Sequence, residues 1–391
     1  MHNDNRMTQV LEAIGSHLDI PRSYYLRAAE RHKSVGEWYC RKESQIRAFN
    51  PVVSIQGSFR FGTVNRPLDS DDEYDLDNVT TLQISKSRMS QKAVKELLGL
   101  EMKAYAEAHG IAIPIEEHNR CWRVRYSDEV SFHLDSLPCV PETRQIIEIV
   151  KGRAVPPALA DLAVAITDRR DTHYSVISPV WPSSNPRGFA QWFEEKARPF
   201  AAARIRKLVE SLSYASVEEV PSFEWKTSLQ RAIQLMKRHR DVMFRDDPSS
   251  APISMIITNL AARAYEGEPD VYLTLKNIAQ KMATFVNAEI PRVPNPADPA
   301  EDYADKWKYN SILEDSFWLW LKQLRTDIDR LPTFTAAENL PAEVRRIFEV
   351  DLTTDEVKRL TNGHSGPPQI LVRSTAPIVI PSAPRPWGDD V

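Results

Sequence analysis

The spacing of apolar and polar positions changes period near the middle of the chain. In the first part, short alternations dominate. Val52 to Ile55 is a brief apolar run closed by Gly57-Ser58, and Tyr74 to Leu82 reads as the next strand. Trp122, Val124 and Tyr126 alternate in CWRVRY, as do Val130, Phe132 and Leu134 in VSFHLD, with Ser127-Asp128-Glu129 as the turn between them. Alternation at period two predicts half-buried strands. Two helical stretches interrupt them. Residues 21–48 open on Pro21, suited to a first helical turn, and carry an imperfect apolar stripe. Residues 89–109 place Val94, Leu97, Leu98, Met102 and Tyr105 on one face, and Gly110 stops the helix.

From about residue 155 the strand signal fades. SPVWPSSNPRG, residues 178–188, predicts a loop between lobes. Helical periods then cover 189–213, 225–244, 253–266, 271–287 and 312–330. The expected fold class is therefore α+β, a small mixed sheet with helices joined to a helical C-terminal lobe. The expected organisation is an N-terminal helical segment over 1–50 packing across the lobes, a core over 51–180 and a helical lobe over 181–345. The stretch 364–391 has six prolines in 28 residues and reads as an extended tail.

Bulk properties narrow the function. A chain of 391 residues suits two packed lobes better than one core. With 50 Lys and Arg against 54 Asp and Glu, the net charge is −4, which gives no global attraction to DNA or RNA. Three cysteines without CxxC spacing argue against a disulfide framework and a cysteine zinc site. No apolar run approaches membrane-spanning length, and the N-terminus lacks the order of a signal peptide, so the expected compartment is the cytoplasm.

The candidate chemistry lies in the strands. Asp75 and Asp77 are two apart on a predicted strand, so their carboxylates share a face. On the strand ending at Asp135, Phe132 and Leu134 point one way and His133 and Asp135 the other. If the two strands are neighbours, Asp135 joins the pair. Three converging carboxylates repel one another unless cations sit among them. Two Mg²⁺ or Mn²⁺ ions roughly 3.5–4 Å apart, as in two-metal phosphoryl transfer, would make the cluster favourable. Gly57-Ser58, 16 residues before Asp75, offers backbone N–H groups and a hydroxyl for phosphate oxygens. The spacing thus predicts attack by a hydroxyl on an α-phosphate with pyrophosphate leaving. Asp75 and Asp77 would hold both ions, and Asp135 the ion that activates the hydroxyl.

IQGSFRFGTVNRPL followed by DEYDLDNV resembles the bacterial cyclic-GMP–AMP-synthase and DncV-like nucleotidyltransferases, the CD-NTases that make cyclic oligonucleotides in CBASS anti-phage systems. SPVWPSSNPRGFAQWF, LQRAIQLMKRHRDVMF and PISMIITNLAARAY extend the resemblance over roughly residues 20–330. It implies a polymerase-β-like lobe, an active site in the interlobe cleft, and Gly57, Ser58, Asp75, Asp77 and Asp135 as the catalytic set. It further implies nucleotide contacts from Gln56, Lys237 and Ser254. Lys237 would capture β/γ oxygens, and Ser254 would meet phosphate at a helix start or act only as its cap.

The implied partners are nucleoside triphosphates and a regulatory or ligase-like protein acting on the C-terminal tail. The zinc insertion and basic activator surface of the animal DNA sensors are absent from the sequence, so double-stranded nucleic acid is not an expected activator. Several other residues have simpler readings. His133 reads as a sheet-face residue with a satisfied hydrogen bond, and Trp181, Trp192 and Trp225 as core. Asp69, Asp71, Asp72 and Glu73 read as a solvated turn. Arg60 and Arg66 are read as surface residues or as cations that steer the triphosphate. The run Lys237-Arg238-His239-Arg240 reads as one functional and one solvated face. Alternatives to cyclic synthesis are a linear oligonucleotide synthase, an RNA terminal nucleotidyltransferase, and a non-catalytic nucleotide sensor.

Overall fold

A computed structural model of the chain describes residues 2–69, 72–126, 131–198, 226–334 and 339–361. The 127–129 turn, Trp225, Asp71, residues 199–213 and the Pro-rich stretch from 364 lie outside the described residues. No helix among those described is long and apolar enough to cross a membrane.

One core is a mixed sheet built around one long strand. Strand β1 (Val52–Gln56) runs straight into a short helix, α3 (Gly57–Phe61). The next strand, β2 (Tyr74–Thr81), is antiparallel to β1 and parallel to β5 (Phe132–Pro141). The other edge of β5 is shared: its first half pairs with β4 (Trp122–Tyr126), which pairs in turn with β3 (Glu116–Glu117). Its second half pairs with β6 (Val164–Ile166), and β6 pairs with β7 (Ser183–Ser184). These last two strands were not legible in the sequence. With three and two residues they are too short to show alternation, and β7 sits inside the stretch that reads as an interlobe loop.

Helices α2 (Arg22–Cys40) and α4 (Gln91–Ala108) cover the apolar face of this sheet. Tyr25, Val35, Tyr39, Val94, Leu98 and Met102 meet Val53, Ile55, Leu76, Val124, Phe132 and Leu134 in one buried cluster. The α2 helix stops at Cys40, short of its predicted end at residue 48. At Arg41 the backbone turns extended (ψ 159°), the guanidinium lies 3.6 Å from the centre of the Trp38 ring, and it pairs with Glu101 at 2.6 Å. That cation–π contact and ion pair hold the chain out of helix where propensity alone would continue it.

Two short helices, α5 (Arg144–Gly152) and α6 (Pro157–Ala160), follow β5. The second core is helical. It joins α1 (His2–Leu18), α7 (Pro186–Ala197), α8 (Ser228–Met243), α9 (Ser254–Ala264), α10 (Val271–Lys281), α11 (Ser311–Arg330) and α12 (Asn339–Phe348). Met7, Val10, Leu11, Ile14 and Leu18 insert α1 into it, so the first helix belongs to this lobe and α2 to the other. Phe61, from α3, is buried against Phe189 and Phe193 of α7 and fastens the sheet to the helical core. Trp181 is buried with its Nε1 donating to the Ser178 carbonyl, and Trp192 packs partly buried. Arg60 is buried and paired with Glu194 at 2.7 Å, so neither the surface nor the triphosphate-steering reading holds for it.

Asn185 sits at the seam. Its Oδ1 accepts from the Gly188 N–H and caps α7, with Pro186 preset at the first helical position. Its Nδ2 donates to the carbonyls of Leu159 (2.7 Å) and Ala297 (2.9 Å), with no exposed surface. The Ala297 carbonyl belongs to the hairpin of β8 (Pro294–Asn295) and β9 (Asp298–Asp302). Replacing Asn185 by Ala removes the cap and strands two buried carbonyls, so N185A should lose about 3 kcal/mol of unfolding free energy by chemical denaturation. A loss below about 0.5 kcal/mol, the range of ordinary surface substitutions, would contradict its role at the seam.

Candidate active site

The site begins with register. In the parallel ladder of β2 and β5, Asp75 lies opposite His133 and Asp77 opposite Asp135. The in-between residues Tyr74, Leu76, Phe132 and Leu134 are buried in the sheet core, which fixes the polar set on the other face. Neighbouring strands are about 4.8 Å apart, so carboxylates directly opposite each other interact strongly. The adjacency on which Asp135 depends is thus present.

Each acid is held differently. Asp135 is gripped by both nitrogens of the Arg123 fork, at 2.6 and 2.7 Å. That hydrogen bond, against the cost of burial, drives the Arg123 guanidinium well above its ordinary pKa. Asp75 is half-exposed and its Oδ1 lies 3.0 Å from His133 Nε2. Asp77 is pushed well above the usual carboxylate range, first by burial, then by the charges of Asp75 and Asp135; Arg123 and Lys237 oppose this only partly. Asp75, His133 and Asp135 each offer a ligand atom within 4.8 Å of the other two. Two carboxylates and an imidazole, with excess negative charge, fit a divalent cation.

Gly57 begins α3 at φ +67°, a conformation that disfavours any Cβ, and a Cβ there would overlap the Asp77 carboxylate. Ser58 follows in the first turn of α3. The predicted Gly-Ser turn is therefore the start of a helix packed directly over Asp77. Gln56 ends β1 opposite Asp77, buried and outside the residues that line the cavity, its amide nitrogen without a hydrogen-bond partner among the described residues.

Across a cavity of about 1070 Å³ stands α8. Lys237 is buried at the cavity wall and donates to the Thr63 carbonyl at 3.0 Å. Burial is the main cause that lowers its pKa to about 8, and Arg240 adds to the shift. Arg240, one turn on, donates to the Ser254 hydroxyl at 3.1 Å and the Pro252 carbonyl at 2.8 Å. Ser254 is the first residue of α9, and the cap position is Ile253, so Ser254 does not serve as the cap. Its hydroxyl accepts from Arg240 and retains its proton to donate into the cavity. The remaining face of the basic run is buried, not solvated. Arg238 donates to the Arg66 carbonyl, and His239 pairs with Asp327 at 3.0 Å.

Two residues carry roles that sequence reasoning missed. Arg123 was one of two arginines alternating with the apolar face of β4, and the period of that strand was the only signal for it. Glu73 was read with the solvated acidic turn, but its Oε2 lies 3.1 Å from His133 Nδ1. Arg66 lines the cavity while its Nε donates to the Asp19 carbonyl.

Residues 51–139, the segment that carries all of this except α8 and α9, match the family described as cyclic GMP-AMP synthase DncV-like, nucleotidyltransferase domain. That segment is thus a DncV-like nucleotidyltransferase domain. The chain is 24% identical over 326 residues to a c-di-GMP synthase of Roseivirga ehrenbergii, spanning 82% of this chain and 78% of that protein. It is also 24% identical over 373 residues to the cyclic dinucleotide synthase CdnG of Bradyrhizobium diazoefficiens, spanning 89% and 82%. The structure of that CdnG in complex with GTP superposes with a TM-score of 0.63 at 20% identity, covering 91% of this chain and 98% of the other. A mutant of the Vibrio cholerae di-nucleotide cyclase DncV, in complex with ATP and GTP, superposes at 0.55, with 13% identity and 88% and 94% coverage. At these identities the structural likeness speaks for the fold.

Within this domain, Gly57 has little freedom to change. A Gly57→Ala substitution forces either the α3 backbone or the Asp77 carboxylate to move. Pyrophosphate release from nucleoside triphosphates should fall by about 100-fold or more, the cost of misplacing reacting groups by about 1 Å. A variant within about threefold of the parent would contradict the tight packing of Gly57 on Asp77.

Proposed function

We propose that the protein condenses nucleoside triphosphates into a cyclic oligonucleotide, with a cyclic dinucleotide as the product, and releases pyrophosphate. The observation that carries this reading is the in-register carboxylate set of β2 and β5 on the floor of a cleft whose opposite wall holds Lys237 and Ser254. A binding module has no use for an Asp77 kept against both burial and two neighbouring charges. A phosphoryl-transfer site does.

Each step assigns a task to a residue. The triphosphate of the donor nucleotide lies between the start of α3 and α8. Gly57 and Ser58 offer backbone N–H groups and a hydroxyl, and Lys237 offers positive charge to the β and γ oxygens. Arg240 orients Ser254 so that its hydroxyl donates to the same group. Asp75, Asp77 and Asp135 would hold divalent ions, which would supply charge neutralisation at the α-phosphate and lower the pKa of the attacking hydroxyl. Asp135, anchored by Arg123, helps take that hydroxyl's proton. The hydroxyl oxygen of the acceptor forms a bond to the α-phosphorus, the bond from that phosphorus to the bridging oxygen breaks, and pyrophosphate leaves. A second turn of the same chemistry closes the ring.

The cavity volume supports two substrates. Sites for single small ligands occupy about 300–1000 Å³, and this cleft reaches the upper end of that range. The dinucleotide product is further supported by the two relatives named as a c-di-GMP synthase and a cyclic dinucleotide synthase. Part in anti-phage signalling follows from the resemblance to that class of enzymes.

The test is incubation of the purified full chain with all four nucleoside triphosphates and Mg²⁺ or Mn²⁺, then phosphatase treatment and mass spectrometry. A phosphatase-resistant cyclic dinucleotide should form with the parent and be absent with Asp75→Ala/Asp77→Ala. Products that end in phosphatase-sensitive termini would favour linear synthesis, and equal products from both proteins would overturn the carboxylate assignment.

A further inference from the structure

His133 is placed like a ligand rather than a spectator. It stands between two carboxylates on the cleft face of β5, with Nδ1 3.1 Å from Glu73 Oε2 and Nε2 3.0 Å from Asp75 Oδ1. Its imidazole is largely buried, with side-chain exposure of 14%, while Asp75 is 51% exposed. The ring is therefore clamped by Glu73 from behind and presents Nε2 toward the open side.

That is the pattern of a metal-binding histidine: one ring nitrogen donates to a carboxylate, which fixes the tautomer and aims the other nitrogen's lone pair at the ion. The spacing agrees. Ligands at right angles around an ion with bonds of about 2.1 Å are about 3 Å apart, the observed separation of Nε2 and Asp75 Oδ1. The three ligand atoms that gather within 4.8 Å are those of Asp75, His133 and Asp135, without Asp77, which is turned against Gly57. The Arg123 fork uses one lone pair on each Asp135 oxygen and leaves the others free.

We propose that His133 Nε2 is a nitrogen ligand to the ion held by Asp75 and Asp135, with Glu73 orienting the ring, so that this ion site is a mixed nitrogen–oxygen site that favours Mn²⁺ over Mg²⁺. The inference rests on the nucleotidyltransferase reading of the same cleft. His133 gives its lone pair to the ion in place of the proton that lies between Nε2 and Asp75, and that proton leaves to solvent. Imidazole suits first-row transition ions, whereas Mg²⁺ prefers an all-oxygen shell. Histidine in place of a fourth carboxylate also adds no negative charge to a cluster already burdened with it.

The experiment is pulsed electron paramagnetic resonance of bound Mn²⁺ on the full chain labelled with ¹⁵N-histidine, without nucleotide, beside Mn²⁺ and Mg²⁺ affinity measurements. The parent should show a ¹⁵N hyperfine coupling that His133→Gln abolishes. His133→Gln should bind Mn²⁺ about 10-fold more weakly or worse, and Mg²⁺ less than about threefold more weakly. Glu73→Gln should keep the coupling and weaken Mn²⁺ several-fold, a second readout if His133→Gln fails to fold. Mn²⁺ bound with Asp75-dependent affinity but no histidine coupling overturns the inference and leaves the proposed function standing. Coupling that persists in His133→Gln also overturns it. Mn²⁺ affinity unchanged by Asp75→Ala overturns both.

Discussion

Everything in this protein is arranged around one unfavourable contact: two carboxylates, Asp77 and Asp135, set directly opposite each other on adjacent parallel strands. A sheet whose only task was to be stable would not place like charges across a ladder. The apolar half of the same strands makes the arrangement unavoidable. Tyr74, Leu76, Phe132 and Leu134 are buried together, and a slip of one residue would turn them to water and the acids into the core. The hydrophobic register thus enforces the electrostatic one, and the surrounding groups manage the consequence. Arg123 neutralises Asp135, His133 binds Asp75, and Asp77 is left to be relieved by a cation.

The second lobe completes what the sheet begins. Helix α8 is buried along most of its length, with Leu229, Ile233 and Met236 in the helical core. Its rigid body brings Lys237 and Arg240 to the cavity while Arg238 and His239 are spent on internal bonds. Lys237 binds the Thr63 carbonyl, just past α3, so the cation of one lobe is tied to the end of a short helix of the other. Helix α1 reinforces the same junction. Asp19, immediately beyond it, binds Arg231 and Lys226 at the head of α8, and burial of its carboxyl is outweighed by these cations.

Much of this was legible in the sequence, for identifiable reasons. Strands β1, β2, β4 and β5 have long enough alternation to declare a face, and the face decides where Asp75, Asp77 and Asp135 point. Helices with two or more turns and an apolar stripe were also legible, with ends displaced where a tertiary contact intervened, as Arg41 on Trp38 does. What was not legible depended on partners distant in sequence. The three-residue β6 and two-residue β7 exist because β5 offers an edge to them. Glu73 looked like part of an acidic turn, and nothing local reveals that His133, 60 positions on, would receive it. Arg60 looked available to substrate, but Glu194 takes it. Gln56 sits beside Gly57 in sequence yet is buried at the end of β1, opposite Asp77, and does not line the cavity.

The central claim is that the fold tolerates an acid cluster whose repulsion is meant to be relieved by cations. Its most direct measurement is thermal unfolding of the parent and Asp77→Asn, each with and without Mn²⁺. The account predicts that Asp77→Asn is more stable than the parent without metal, since it removes a buried and repelled charge. It also predicts that Mn²⁺ raises the parent's Tm by more than the variant's, which keeps the Asp75, His133 and Asp135 ligand set. An Asp77→Asn protein that is less stable without metal, or that gains as much from Mn²⁺ as the parent, would contradict it.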